Sequence, residues 1–113
     1  MGRPGRTVAD KRLMKDMGRR LRWVRESLGL SQQKLASLLG VDQTTLSLWE
    51  LGKRWPDQFA AARLTARLKI SQQYLLDGSL KGVERELAIA LAAAHPELAP
   101  PRSTARYTDT AQA

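Results

Sequence analysis

The stretch from Gln32 to Leu51, QQKLASLLGVDQTTLSLWEL, gathers amide, hydroxyl and small apolar side chains in a pattern suited to non-covalent recognition. Two short helices meet there through a tight turn. Ala36 lies midway along the first, where the second crosses closely and a larger side chain would push them apart. Gly40 stands where the chain turns sharply and a positive φ is needed. Leu35, Leu39, Val41, Leu46 and Trp49 supply the apolar contacts that lock the crossing angle. The second helix of such a pair is a ridge that fits the DNA major groove, about 12 Å wide. The same residue types also build an ordinary αα-hairpin, so spacing alone leaves both readings open. Catalysis has little to work with: there is no cysteine and one histidine, His95. No nucleophile–base–orienter set, phosphate loop or metal cluster is apparent, so neither an enzyme nor a cofactor is expected. His95 stands beside Pro96 at a helix end, where a cation suits the C-terminal dipole, and it receives no metal role.

The charge distribution bears on the choice. The 113 residues carry 19 Lys and Arg against 11 Asp and Glu, a net charge of +8. Residues 1–25 hold nine of the basic residues and only two acidic ones, Asp10 and Asp16, so nearly all the excess sits at one end. Such a bias favours a polyanion, nucleic acid before a membrane surface; a solvated arm is the plainer alternative. The longest apolar run, Leu87 to Ala94, is far short of the roughly 20 residues that span a bilayer. No signal-peptide pattern opens the chain. A cytoplasmic, bacterial or phage-derived, nucleoid-associated protein is expected.

Helices must position these groups. Met14, Met17, Leu21, Val24 and Leu28 recur at steps of three and four, the face of a helix over 11–28, with Gly29 after it. Ser31 and Asp42 suit the caps of the next two helices, ending near Leu39 and Leu51. Pro56 suits the first position of a fourth, through about Lys69. Ser71 caps a short fifth that ends before Gly78. A sixth is expected over about Leu80–Ala94, with Leu80, Val83, Leu87 and Leu91 on one side. No stretch alternates with the period of a strand. The pieces are too short to be stable alone and must pack as one all-α unit. The expected layout is a flexible basic arm over 1–10, a helical domain over 11–78, an added helix over 79–95 that covers the core or makes a dimer contact, and a disordered tail over 96–113.

Residues 18–78 resemble a helix-turn-helix domain of the Xre/Cro type. The resemblance rests on LRWVRESLGLSQQKLA, GVDQTTLSLWELGKRWP and ISQQYLLDG, and spans 61 of 113 residues. It implies a compact five-helix, lambda-repressor-like domain, here with an additional C-terminal helix. It further implies a transcriptional regulator, most simply a repressor acting by steric occlusion, that binds a palindromic operator in double-stranded DNA as a homodimer. The alternative function is an antitoxin that binds its own promoter and a protein toxin or other regulator through the sixth helix or the tail. By resemblance Gln32 contacts a phosphate, and Gln43, Thr44 and Leu48 hold the base-reading positions. Gln43 can pair with an adenine edge, and Thr44 and Leu48 offer methyl groups to thymine. Leu48 departs from the polar residue common there and can instead pack on a neighbour. Thr45 and Ser47 are placed near the backbone, and Asp42 is a cap. The loop GKRWP brings Lys53 and Arg54 along the sugar–phosphate backbone; Leu51 stands where the family often has a polar residue. Trp55 packs on the core or turns its indole N–H to a phosphate.

In this family an Arg on the first helix pairs with a Glu at the end of the third, here Arg25 and Glu50. Wheel arithmetic at about 100° per residue places Arg25 beside the apolar stripe, and a partly buried ion pair is expected. The same arithmetic puts Trp23 opposite the stripe, to be covered by the sixth helix or to meet a partner. The arm GRPGR is read either as a disordered tail or as a minor-groove contact through Arg3 and Arg6.

Overall fold

Every α-helix among the described residues starts at a side-chain cap. In the computed structural model, which describes residues 7–98, the elements are α1 (Val8–Ser27), α2 (Gln32–Leu39), α3 (Gln43–Glu50), α4 (Gln58–Leu68), α5 (Gln72–Asp77) and α6 (Arg85–Ala94), with a closing 3-10 turn at Pro96–Leu98. The caps are Thr7, Ser31, Asp42, Asp57, Ser71 and Glu84, each accepting a backbone N–H two or three residues on. These bonds satisfy donors that the helix itself leaves open. No strand occurs among the described residues.

Four boundaries differ from expectation. α1 begins at Val8 rather than 11, so residues 8–10 of the arm expected over 1–10 are helical: Thr7 and Asp10 form a reciprocal capping box, with bonds of 3.0 and 3.1 Å. α4 begins at Gln58, because the Asp57 carboxylate takes the Ala60 N–H and Pro56 falls two residues before the helix. α6 begins only at Arg85. Leu80–Val83 forms a turn closed by Val83 N–H to the Leu80 carbonyl, and Glu84 N–H is anchored on the Lys69 carbonyl at 2.9 Å. The tail expected from 96 is ordered through Leu98, whose buried side chain rests on Gly78.

The core fills the space between α1 and the other helices. Leu21, Val24, Leu35, Leu46, Leu64, Tyr74 and Leu91 are its most deeply buried members. The α1 stripe buries Met14, Met17, Leu21 and Val24 as expected, while Leu28, the C-cap, is 43% exposed. α6 lays Leu87 and Leu91 into the core and packs on α1. The stripe expected on the added helix is thus core cover in its helical half; Leu80 and Val83 pack beside it from the preceding turn. α5 is clamped to α1 at both ends of one residue pair. The Tyr74 hydroxyl donates to the Arg20 carbonyl at 2.8 Å, and the Arg20 guanidinium donates to the Leu75 and Leu76 carbonyls. Burial pushes the Tyr74 phenol well above its ordinary range, so it stays a donor.

One contact dictates where α3 sits. A Cβ on Gly18 would lie 2.5 Å from the carbonyl oxygens of Trp49 and Glu50. α1 and the last turn of α3 therefore meet backbone to backbone. Replacing Gly18 with Ala improves helix propensity by about 0.5–1 kcal/mol but forces two rigid carbonyls apart, an overpacking cost of about 1–3 kcal/mol. Urea denaturation of Gly18→Ala is expected to show a net loss of stability; equal or greater stability would contradict the contact.

Candidate nucleic-acid interface

α3 is pinned from behind and free in front. Leu46 and Trp49 are buried, Gln43 and Thr44 are exposed, and Thr45, Ser47 and Leu48 are half-buried along the flank. The α2–α3 turn is short. Gly40 takes a left-handed φ of 72°, and the Val41 N–H returns to the Ala36 carbonyl at 3.0 Å. Ala36 is buried beneath it. Asp42 opens α3 by accepting the Thr45 N–H at 2.8 Å, and that bond holds its carboxyl below the usual carboxylate range. Asp42 is a cap, as its position suggested.

The rear attachment is charged. The Arg25 Nε donates to Glu50 Oε2 at 2.7 Å and its Nη2 to Oε1 at 3.1 Å, a fork that matches the carboxylate in two places. The remaining Nη1 donates to the Leu30 carbonyl at 2.9 Å. The Glu50 side chain is 4% exposed and that of Arg25 13%. The hydrogen bond to Glu50 raises the Arg25 pKa against the opposing effect of burial.

This pair extends outward through two amides. Gln32 Nε2 donates to Glu50 Oε1 at 3.0 Å, and Gln32 Oε1 accepts from Gln43 Nε2 at 3.5 Å. A continuous series thus runs from the α1 scaffold through Arg25, Glu50 and Gln32 to the exposed tip of Gln43. These side chains, with Arg22 and Ser47, line an open concavity of about 470 Å³.

The structure gathers some of the singled-out residues into this concavity and leaves others outside it. Gln32, Gln43, Ser47, Arg25 and Glu50 share the concavity. Lys53 and Arg54 are exposed in the loop that leaves α3, whose backbone N–H groups both return to the Leu48 carbonyl. Leu51 is 54% exposed beside them. Trp55 packs against the core. Trp23 is covered, as one of its two readings required: its ring stacks on His95 at 4.0 Å, and the Arg19 guanidinium lies 5.9 Å from it. Arg3 and Arg6 lie outside the described residues, as does the chain after Leu98.

Sequence reasoning missed two spacers and one link. Gly18 stands inside the α1 stripe, where glycine weakens a helix, and that cost was the available signal. Gly52 has φ of 73°, and a Cβ there would lie 2.6 Å from the Lys15 Cα. The Gln32–Gln43 link had no signal in spacing, since it depends on the angle between two helices. Among the described residues there is no cluster of metal-ligating side chains, and no helix is long and apolar enough to cross a membrane.

Residues 21–75 match the helix-turn-helix family model. The chain is also similar to an SPbeta prophage-derived uncharacterized HTH-type transcriptional regulator, YonR, of Bacillus subtilis (strain 168). The two are 37% identical over 62 residues, which cover 55% of this chain and 57% of that regulator. No solved structure matches the chain.

Removing one member of the Arg25–Glu50 pair strands a buried charge. Glu50→Ala is expected to lower unfolding free energy by about 3–5 kcal/mol. The double variant Arg25→Met, Glu50→Met is expected to lose less. Thermal and urea melts check both, and a Glu50→Ala loss below about 1 kcal/mol would show that the pair is not desolvated.

Proposed function

The chain carries a helix-turn-helix domain of the Xre/Cro type, with the all-α lambda-repressor-like fold, and from that premise we propose that it is a sequence-specific double-stranded-DNA-binding transcriptional regulator, a repressor that binds a palindromic operator as a homodimer. The observation that carries this reading is the state of α3: its rear is locked by Trp49, Glu50 and Arg25, while Gln43 and Thr44 face outward from its first turn. A pre-positioned amide can present donor and acceptor together to an adenine edge in the major groove. Thr44 and Leu48 meet thymine methyl groups beside it.

The surrounding groups hold the backbone. One N–H of the Gln32 amide goes to Glu50, which leaves the second for a phosphate. Thr45 and Ser47 flank the reading positions, and Lys53 and Arg54 follow the sugar–phosphate chain on the α3–α4 loop. Arg3 and Arg6 reach the minor groove from the arm. Asp42 carries negative charge close to the same surface, which its capping bond retains; it repels phosphate and so serves as a cap, not as a DNA contact. A dimer on B-DNA places its two α3 helices about one helical turn apart, roughly 34 Å. Occupying a promoter in this way blocks polymerase without any further domain.

Selection of bound duplexes from a random pool should return a palindrome. On that duplex Gln43→Ala is expected to lose preference at one base pair per half-site, about 1–3 kcal/mol. Lys53→Ala should weaken matched and random duplexes equally and flatten the salt dependence by about one phosphate's share. A Gln43→Ala loss that is the same on every sequence would remove Gln43 from base reading.

A further inference from the structure

α1 continues well past the part of the domain that it supports. Gly18 covers the last turn of α3, and the Lys15 backbone rests on Gly52. The helix nevertheless runs on to Val8, roughly 10 Å further at about 1.5 Å per residue. This segment precedes residue 21, where the family match begins. Core burial does not account for it, because Val8 is 76% and Leu13 37% exposed. It is nonetheless a built helix, closed by the Thr7–Asp10 capping box.

One of its cations, Lys15, stands where the loop that leaves α3 begins. Lys11 and Lys15 are one turn apart, on the same face of α1, and both are exposed. Among the described residues neither forms an ion pair, whereas Arg19 pairs with Asp16 and Arg22 with Glu26. The Lys15 Cα and N lie 2.6 and 2.8 Å from where a Gly52 Cβ would be, so Lys15 adjoins the residue directly before Lys53 and Arg54. The backbone of Lys15 is thereby set against the turn that leads into Lys53 and Arg54, and Lys11 follows one helical turn further along α1. The nearby carboxylates are engaged: Asp10 in the cap and Asp16 with Arg19.

We propose that the first turns of α1 are a second backbone clamp, in which Lys11 and Lys15 contact phosphates of double-stranded DNA next to those reached by Lys53 and Arg54. The proposal rests on the DNA-binding reading above. It adds sequence-independent affinity from a segment outside the matched domain and leaves base preference to α3.

The test uses the full chain, the selected duplex and a random duplex of equal length, with anisotropy titrations across a salt series. The double variant Lys11→Ala, Lys15→Ala should shallow the slope of log K against log salt by about 1.8, at about 0.9 per phosphate. It should weaken both duplexes by the same factor. Arg63→Ala, Arg67→Ala removes the same charge from exposed positions on α4 and should keep the parent slope. Circular dichroism checks that each variant is folded, and Lys11→Gln, Lys15→Gln repeats the measurement if the alanine pair is not. A parent-like slope in the lysine variants overturns the clamp while the DNA-binding reading stands. An equal drop in both double variants also overturns it, since net charge alone would explain the change. A parent chain that binds neither duplex overturns the DNA-binding reading and the clamp with it.

Discussion

A helix of eight residues cannot hold its shape or its aim alone, and the whole arrangement depends on how α1 grips the end of α3. The grip has two parts. Gly18 and Gly52 remove side chains so that the backbones of α1 and of α3 with its following turn come into contact. The Arg25–Glu50 fork then ties the same turn laterally. The first sets distance and the second sets rotation. Together they fix the direction in which Gln43 and Thr44 point, before any ligand is present. Preorganisation of this kind lowers the ordering cost of binding.

The placement of charge follows from that grip. Glu50 is the one buried charged residue among those described, and it is neutralised by Arg25 and bonded again by Gln32. A buried pair of this sort contributes little net stability compared with an apolar pair of equal volume. Its value here is geometric, because Gln32 stands on it and touches Gln43 in turn. Two further helices support α1, α5 through Tyr74 and Arg20 and α6 through Leu87 and Leu91, while the 3-10 turn sets Leu98 against Gly78 at the end of α5.

Much of this was legible in the residues. The caps Ser31, Asp42 and Ser71, the turn at Gly40 and the α1 stripe follow from local rules of spacing and capping. The Arg25–Glu50 pair was legible through family resemblance. The α1 start carries a local signal, T-x-x-D at residues 7–10, but the basic composition around it points instead to a solvated chain. Pro56 and Asp57 compete to open α4, and the carboxylate prevails because it accepts the Ala60 N–H. The late start of α6 and the order of Pro96–Leu98 depend on tertiary contacts, with Lys69 and Gly78 respectively, that no local pattern encodes. The backbone approach at Gly18 is of the same nature: a glycine in a stripe marks a close neighbour but does not say which.

The central claim is that the outward surface of α3 meets base edges while α1 holds it still. Titrating the isotopically labelled protein with the selected duplex and following backbone amide shifts tests this most directly. The largest changes are expected at Gln43–Leu48, with further changes at Gln32 and the Lys53–Arg54 loop, and near-silence along α4 and α6. Changes centred on α4 or α6, with Gln43 and Thr44 unmoved, would contradict it.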